Sequence, residues 1–268
     1  MSFMDLEIPE YAYMFGFLQM DGHLARDTGR KGRLTVEISA RDESVLHQFQ
    51  RLTPYPSSLT TRTRTTNFSS AHTSTIWTLC ALEARERLAA LGLPYGRKSA
   101  IVRPPRVPFA RRDYVRGLID ADGSVGHTAE GLPFISLATA STAIAAYLCF
   151  YVRQTTGTER RTRRNARDGV YNVAYMRETA VELARHLYYP DALALERKHA
   201  SAQRIAAWVR PDGIAKRPRA GAGGRTRTER SWRSATPPRP HTAWADPPRV
   251  AACGCGVCAT DTREHVTR

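Results

Sequence analysis

The stretch YVRGLIDADGSVG, residues 114–126, runs an apolar helical segment directly into two aspartates and a glycine. Tyr114, Gly117, Leu118 and Ala121 have i, i+3, i+4, i+7 spacing, which predicts one face of an α-helix. The C-terminus of a helix carries partial negative charge, so acids at that end are unfavourable unless a cation lies opposite them. The stretch therefore predicts a helix whose end faces a positive partner, such as a metal ion.

A second copy of this pattern lies 101 positions earlier in the chain. Its apolar residues have the same helical spacing: Tyr13, Gly16, Phe17 and Met20. An Asp-Gly pair closes each copy, with Asp21 in the first and Asp122 in the second. A pattern that recurs at a fixed distance indicates a structural repeat, so we expect two similar halves.

Similar elements follow each copy in the same order. A strand-like run, at 33–40 or 133–140, precedes a helical segment, a pair of β segments and a closing helix. The first strand of each β pair, at 58–68 or 158–166, is rich in arginine. Its cations are Arg62 and Arg64 in the first half, and Arg160, Arg161, Arg163 and Arg164 in the second.

These arginine-rich strands have two possible roles. Alternation places Arg62 and Arg64 on one face of a strand, and such a row can follow a DNA major groove. Charge also keeps an ordinary edge strand soluble. Two such strands at matched positions favour DNA binding over the second explanation.

The paired glycines and aspartates predict a shared site. Gly16 and Gly117 lie at matched helix positions, where small residues allow two helices to approach closely. If these helices pack together, Asp21 and Asp122 converge at one end. Two carboxylates in proximity raise each other's pKa unless a cation neutralises them.

The chemistry expected there is metal-assisted hydrolysis. Backbone carbonyls of Met20 and Ala121 could add oxygen ligands to the two aspartates, a set that suits Mg²⁺ or Mn²⁺. Only four lysines occur in the chain, and two of them, Lys98 and Lys198, fall at matched places beyond the closing helices. A lysine beside such a site can stabilise charge on a phosphoryl transition state.

The composition favours an anionic partner. The chain has 268 residues and a net charge of +15, which points to nucleic acid, although a basic enzyme of another kind has the same balance. It has no run of about 18 apolar residues and no signal-peptide pattern at its first residues, so we expect a cytoplasmic, DNA-associated protein without a membrane partner.

The composition changes at Pro211. Arginine, proline and glycine dominate from there without hydrophobic periodicity, which predicts a disordered basic tail over 211–268. Cys253, Cys255 and Cys258 in this tail are only a weak zinc pattern. We therefore predict three regions: 1–105 and 106–210 as the two halves, and the tail.

The motif GLIDADGS, 117–124, resembles the sequence that names the LAGLIDADG homing endonucleases, and FGFLQMDGH, 15–23, looks like a divergent first copy. The resemblance covers about residues 9–205. It implies an α+β fold of two pseudo-symmetric αββαββα halves, packed through the motif helices, with saddle-shaped antiparallel sheets that bind DNA. It also implies metal ligation by Asp21 and Asp122, with Lys98 and Lys198 as the basic residues.

The resemblance implies a monomeric, sequence-specific endonuclease that cuts both strands of a long asymmetric DNA site. Gln19 replaces the inner acid found as Asp120 in the second copy, and Met20 replaces a small residue. In the family the inner acid is not the metal ligand, so cleavage remains the leading hypothesis. A catalytically silent DNA-binding regulator and a maturase that binds intron RNA stay open as alternatives.

Overall fold

The computed structural model describes residues 2–26, 29, 31–66 and 69–212. The predicted tail from residue 213 onward, including its three cysteines, lies outside the described residues. The described chain has an α+β fold of two αββαββα-like repeats with an antiparallel sheet in each, which confirms the predicted fold class. None of the helices within the described part is long and apolar enough to cross a membrane.

Two motif helices form the centre of the molecule. Helix α1 spans Pro9–Asp21 and helix α4 spans Arg111–Asp122. Proline suits the first turn of α1 because the missing N–H has no partner in a helix there. Eight successive residues of each helix are buried, since each packs against its partner on one side and its own sheet and helices on the other.

The motif helices approach each other through their glycines. A Cβ atom added at Gly16 would come within 3.0 Å of the backbone carbonyl oxygen of Tyr114, closer than real Cβ atoms lie. A Cβ at Gly117 would meet the carbonyl of Tyr13 in the same way. The reciprocal contacts show that α1 and α4 are related by a pseudo-twofold arrangement, with backbone lying directly on backbone.

The first half carries a four-stranded antiparallel sheet. Its strands are β1 (His23–Leu24), β2 (Leu34–Ser39), β3 (Ser57–Thr66) and β4 (Ser69–Leu79), in the order β1-β2-β4-β3. A 3₁₀ turn, Ala40–Asp42, and helix α2, Ser44–Leu52, follow β2, and helix α3, Leu82–Ala90, follows β4. Alternation along β2 buries Leu34 and Val36 against the helices and leaves Glu37 on the open face.

The second half carries a three-stranded sheet, in the order β5-β6-β7. Its elements are α4, β5 (Gly123–His127), β6 (Pro133–Thr139), α5 (Thr142–Thr156), β7 (Tyr171–Met176), α6 (Glu178–Leu187) and α7 (Glu196–Ala206). The strand predicted over 158–166 is wrong, because only Arg164 makes a bridge, to Tyr171. That stretch has four arginines and no apolar alternation, so it has no buried face to hold it in a sheet.

One hydrophobic core joins both halves. It includes residues of α1 and α4 together with the helix-facing sides of both sheets. In the first half Trp77 is fully buried and packs edge-on against Phe49, which in turn contacts Phe17 of α1. The motif helices are therefore supported from the sheets, and their C-terminal ends have fixed positions.

Candidate active site

The two motif aspartates lie at the adjoining C-terminal ends of α1 and α4. Asp21 is half-buried, and burial together with the charge of Asp122 raises its pKa to about 6. Asp122 reaches solvent, yet the protein atoms around its carboxylate raise its pKa as well. The positive charges of Lys98 and Lys198 act in the opposite direction on both carboxylates. The carboxylates thus form a pair that a cation would stabilise.

The two matched lysines cap the motif helices. Lys98 is 8% exposed, and its Nζ donates to the carbonyl oxygens of Gln19, at 2.8 Å, and Met20. Lys198 is 3% exposed, and its Nζ donates to the carbonyls of Ile119 at 2.8 Å and Asp120 at 2.6 Å, and to that of Gly123 at 2.8 Å. Neither helix has a basic residue in its own last turn, so these lysines supply the expected cations.

Burial lowers the pKa of both ammonium groups, that of Lys198 to about 8. The nearby aspartates oppose the shift. Each lysine therefore carries its charge within reach of the carboxylate pair while its hydrogen atoms are directed to helix carbonyls. The lysine ammonium groups are thus bonded to the helix ends and are not directed at a water molecule in the site. Sequence spacing alone does not reveal these contacts.

The inner motif positions, Gln19 and Asp120, are buried and link the helices. The hydroxyl of Tyr13 donates to Asp120 Oδ2 at 2.8 Å, and the hydroxyl of Tyr114 donates to Gln19 Oε1 at 2.5 Å. Each tyrosine thus bonds the inner residue of the opposite helix. The tyrosines, expected only as apolar contacts, hold α1 and α4 in register.

The surroundings explain why one inner residue is an amide and the other an acid. Asp120 also accepts hydrogen bonds from the Tyr188 hydroxyl at 2.7 Å and the Leu195 backbone N–H at 2.8 Å. Gln19 instead donates through Nε2 to the carbonyls of Gly92, at 3.3 Å, and Arg103, at 2.9 Å. Hydrogen-bond donors surround the Asp120 carboxylate, whereas acceptors surround the Gln19 Nε2 group. Glutamine at position 19 therefore satisfies its surroundings, which a carboxylate there would not do.

The segment that connects the halves is fixed at both sides. On one side, Gln19 donates to the carbonyls of Gly92 and Arg103 in this segment. On the other side, the hydroxyl of Ser141, at the start of α5, donates to the carbonyl of Val102 at 2.6 Å. Lys98 lies between these anchor points in sequence. The connection is therefore part of the site, because its position determines where the Lys98 ammonium lies.

A hard divalent cation fits the donor set only in part. The available ligands are two carboxylates and the Ala121 carbonyl, whereas the Met20 carbonyl is engaged by Lys98. Within the described ranges, no cluster of three or more His, Cys, Asp or Glu side chains is placed to hold a metal. Oxygen atoms from water or from a bound phosphate would complete the six ligands of an octahedral ion such as Mg²⁺.

The open face of the first sheet presents the predicted arginines. Arg62 pairs with Ser74 across β3 and β4, and both Arg62 and Arg64 are exposed. Their guanidinium groups donate to Glu37 of β2, at 2.6 and 3.0 Å, and Ser74 donates to the same carboxylate at 2.7 Å. Sequence analysis missed Glu37, whose signal is an acid on the polar face of an alternating strand.

Glu37 keeps its charge in this arrangement. Partial burial raises its pKa, but the hydrogen bonds from Ser74 and Arg62 and the charges of both arginines outweigh that effect and lower it. An ionised Glu37 holds two guanidinium groups side by side on the sheet. This row of cations is fixed before any ligand arrives.

The cations of the second half lie beside their sheet. Arg160 lies over the ring of Tyr175 at 5.8 Å, and Arg164 over that of Tyr171 at 5.3 Å. Arg164 also donates to the carbonyl of Ala140 at 3.0 Å. The remaining predicted cations of this segment, all exposed, are Arg161 and Arg163. The two halves thus present their arginines on different scaffolds, a sheet and an irregular segment.

Comparison with known proteins shows which proteins the chain resembles. The LAGLIDADG-like domain family matches residues 110–188. The homing endonuclease I-WcaI, solved bound to its DNA recognition sequence, has a TM-score of 0.52 at 11% identity over 74% of this chain and 87% of its own. I-SmaMI, solved on uncleaved DNA with calcium ions, has a TM-score of 0.47 at 11% identity over 74% and 89%. The N-terminal LAGLIDADG domain of DUF199/WhiA has 0.44 at 11% identity over 72% and 89%.

The chain therefore contains a LAGLIDADG-like domain, and its fold is that of the LAGLIDADG proteins. This confirms the resemblance drawn from residues 117–124. No curated protein sequence matches the chain. At 11% identity the likeness to I-WcaI concerns the fold, so activity has to be argued from the site itself.

Proposed function

We propose that the protein is a sequence-specific DNA endonuclease that hydrolyses one phosphodiester bond in each strand. The observation that carries this proposal is the pair formed by Asp21 and Asp122 at the adjoining ends of α1 and α4. Burial raises the pKa of both acids, and the charge of Asp122 raises that of Asp21 further, which is the electrostatic environment that a divalent cation relieves. Mg²⁺ or Mn²⁺ is the cofactor that oxygen ligands of this kind favour.

Each residue has a distinct task in this proposal. Asp21 and Asp122 hold the metal, with the Ala121 carbonyl as a further ligand. When bound, the metal activates water and stabilises charge on the scissile phosphate. Lys98 and Lys198 keep the helix ends in place and supply fixed positive charge beside the phosphate. The halves, at 1–105 and 106–210, act together as a monomer.

The arginines supply the DNA-binding surface in this proposal. Arg62 and Arg64 read bases or phosphates from the first sheet, with Glu37 setting their position. The second half uses its four arginines over 160–164. Two unlike surfaces suit a long asymmetric duplex, because each half would then read a different half-site.

The test uses the full chain and a library of linear duplexes with a randomised insert, incubated with Mg²⁺. We expect discrete double-strand cuts by wild type and by Asp212→Asn, a matched control at an exposed acid. Asp21→Asn and Asp122→Asn should each lower cleavage by about 100- to 1,000-fold, since removal of a central electrostatic group costs roughly that much. Cleavage by these two variants at the rate of wild type would refute the assignment of Asp21 and Asp122 as metal ligands.

A second candidate is a protein that binds nucleic acid without cutting it. It is favoured by the Lys98 ammonium, which engages the Met20 carbonyl that would otherwise be a metal ligand. Sequence-specific retention of duplexes from the same library, with no cut in Mg²⁺ or Mn²⁺, would support a regulator. Retention of structured intron RNA, but not of duplex DNA, would support a maturase.

A further inference from the structure

A basic cavity of about 520 Å³ lies beside the Asp21 end of α1. It is formed by the turn after α1 and by the segment that precedes and follows Lys98. The polar side chains that line it are those of His23, Arg26, Arg97, Lys98 and Ser99. Among the described residues that line it there is no acid, so this cavity has a strongly positive character.

The two walls of the cavity are joined by backbone contacts. The N–H of Gly96 donates to the carbonyl of Leu24 at 2.8 Å, and Leu24 also pairs with Tyr95 in a parallel bridge. Gly96 has a φ of +72°, and a Cβ there would lie 2.8 Å from Arg26 Cγ and 2.9 Å from Arg26 Nε. Glycine at this position thus leaves room for the Arg26 side chain against the loop, and both Arg26 and Arg97 line the cavity.

Two of the lining cations are available to a ligand. Lys98 is engaged with helix carbonyls, but Arg26 and Arg97 are exposed. Across the part of the chain that the structure describes, neither guanidinium has a carboxylate oxygen within 4.0 Å. Two guanidinium groups and the Ser99 hydroxyl are a donor set that suits phosphate oxygens.

The second half lacks this arrangement. Arg197 occupies the position that matches Arg97, but its Nε donates to both carboxylate oxygens of Asp42, at 2.9 and 3.0 Å. Asp42 is 8% exposed and Arg197 is 45% exposed, and the two contacts to one carboxylate engage Arg197 in this ion pair. His127 lies where the first half has Arg26. The same positions therefore carry free cations in one half only.

We infer that this cavity binds one backbone phosphate of duplex DNA, next to the Asp21 side of the site, through Arg26 and Arg97. This rests on the proposed function as far as DNA binding is concerned, and it does not require cleavage. The contact exists on one strand only, because the matched arginine of the other half is held by Asp42. At these matched positions, one strand therefore has a phosphate contact that the other lacks.

The test measures how duplex affinity depends on salt. The probe is the fluorescently labelled duplex most strongly retained from the randomised library, titrated with full-length protein in EDTA at several KCl concentrations. Each phosphate contact contributes about 0.9 to the slope of log K against log salt. Because both arginines contact the same phosphate, the double variant Arg26→Gln/Arg97→Gln should reduce this slope by about 0.9 and weaken binding roughly five- to tenfold at 0.1 M salt. Arg97→Gln and Arg26→Gln should each give part of this reduction.

Two further variants make the result specific. Arg97→Lys retains the charge and should keep the slope of wild type, whereas Arg197→Gln is the matched control and should leave the slope unchanged. An Arg97→Gln slope equal to that of wild type would overturn the phosphate site while leaving DNA binding intact. A reduction in Arg197→Gln as large as in Arg97→Gln would also overturn it. Wild-type protein that retains no duplex would overturn the proposed function and this inference together.

Discussion

Replacing Gly117 with alanine should force the motif helices apart. The new Cβ would come within 3.0 Å of the Tyr13 carbonyl oxygen and to 3.0 Å from the Phe17 backbone nitrogen. Both atoms belong to the backbone of α1, so neither can rotate away as a flexible side chain would. Since non-bonded atoms need about 3.5 Å, relief requires the helix axes to separate by about 1 Å.

The expected cost follows from opposing contributions. Overpacking of this kind destabilises a protein by about 1–3 kcal/mol. The hydrogen bond from Tyr13 to Asp120 crosses the same interface, and stretching it adds about 1–3 kcal/mol because both groups are buried. Alanine recovers about 1 kcal/mol of helix propensity. We expect the free energy of unfolding to fall by about 1–5 kcal/mol when these contributions are combined.

Urea unfolding followed by far-UV circular dichroism measures this loss. Gly126→Ala is the control, since a Cβ there meets only the Phe134 ring, at 3.6 Å and beyond, and should be tolerated. Cleavage by Gly117→Ala should fall about 100-fold, because a shift of about 1 Å also separates the two aspartates. A variant as stable as wild type, or more stable, would refute the close approach of the helices.

Three further predictions concern buried and surface polar groups. Asp120→Asn should lower the free energy of unfolding by about 2–4 kcal/mol, because the amide N–H₂ would face three groups that now donate hydrogen bonds to the carboxylate. Urea unfolding measures the difference, with Asp212→Asn as the control. An unchanged unfolding midpoint would contradict the hydrogen-bond network. Glu37→Gln should strengthen binding to mixed-sequence duplex by roughly two- to tenfold and reduce discrimination between sequences. The reason is that it removes a negative charge from the sheet face and frees two guanidinium groups. Fluorescence anisotropy with selected and scrambled duplexes tests this, and weaker binding to both duplexes would count against it. Burial, and then the charge of Arg112, lower the pKa of His186, although Asp113 opposes the shift. The unfolded chain therefore binds the proton more readily, so the stabilising contribution is present above about pH 6.5 and is lost as pH falls. His186→Gln should show a smaller stability loss than wild type between pH 7 and 5 in urea titrations, and identical pH profiles would exclude the effect.

The repeat could be predicted because it depends on local pattern. Helical spacing and the matched Asp-Gly pairs place Asp21 and Asp122 at equivalent helix ends, and the structure brings those ends together. Alternation likewise places Arg62 and Arg64 on one open face. Features that depend on periodicity and on short-range sequence are legible in a single chain.

Contacts between distant residues could not be predicted in the same way. Tyr13 at helical spacing looks like an apolar contact, and nothing near it in sequence shows that its hydroxyl meets a residue 107 positions away. Lys98 was expected to face the reacting phosphate, but its donors are directed to helix carbonyls 78 and 79 positions away. Pairing of Glu37 with two arginines also depends on strand order, which alternation alone does not determine.

The fixed connection between the halves has a consequence for splitting the chain. Residues 106–108 are exposed, whereas Val102 is buried and its carbonyl is bonded to Ser141 of the second half. After a cut at 106–108, the first fragment would keep the segment that contacts the second half, and Gln19 would still hold that segment in place. Two separately expressed fragments should therefore find each other in the correct register, and activity could be switched on by mixing them.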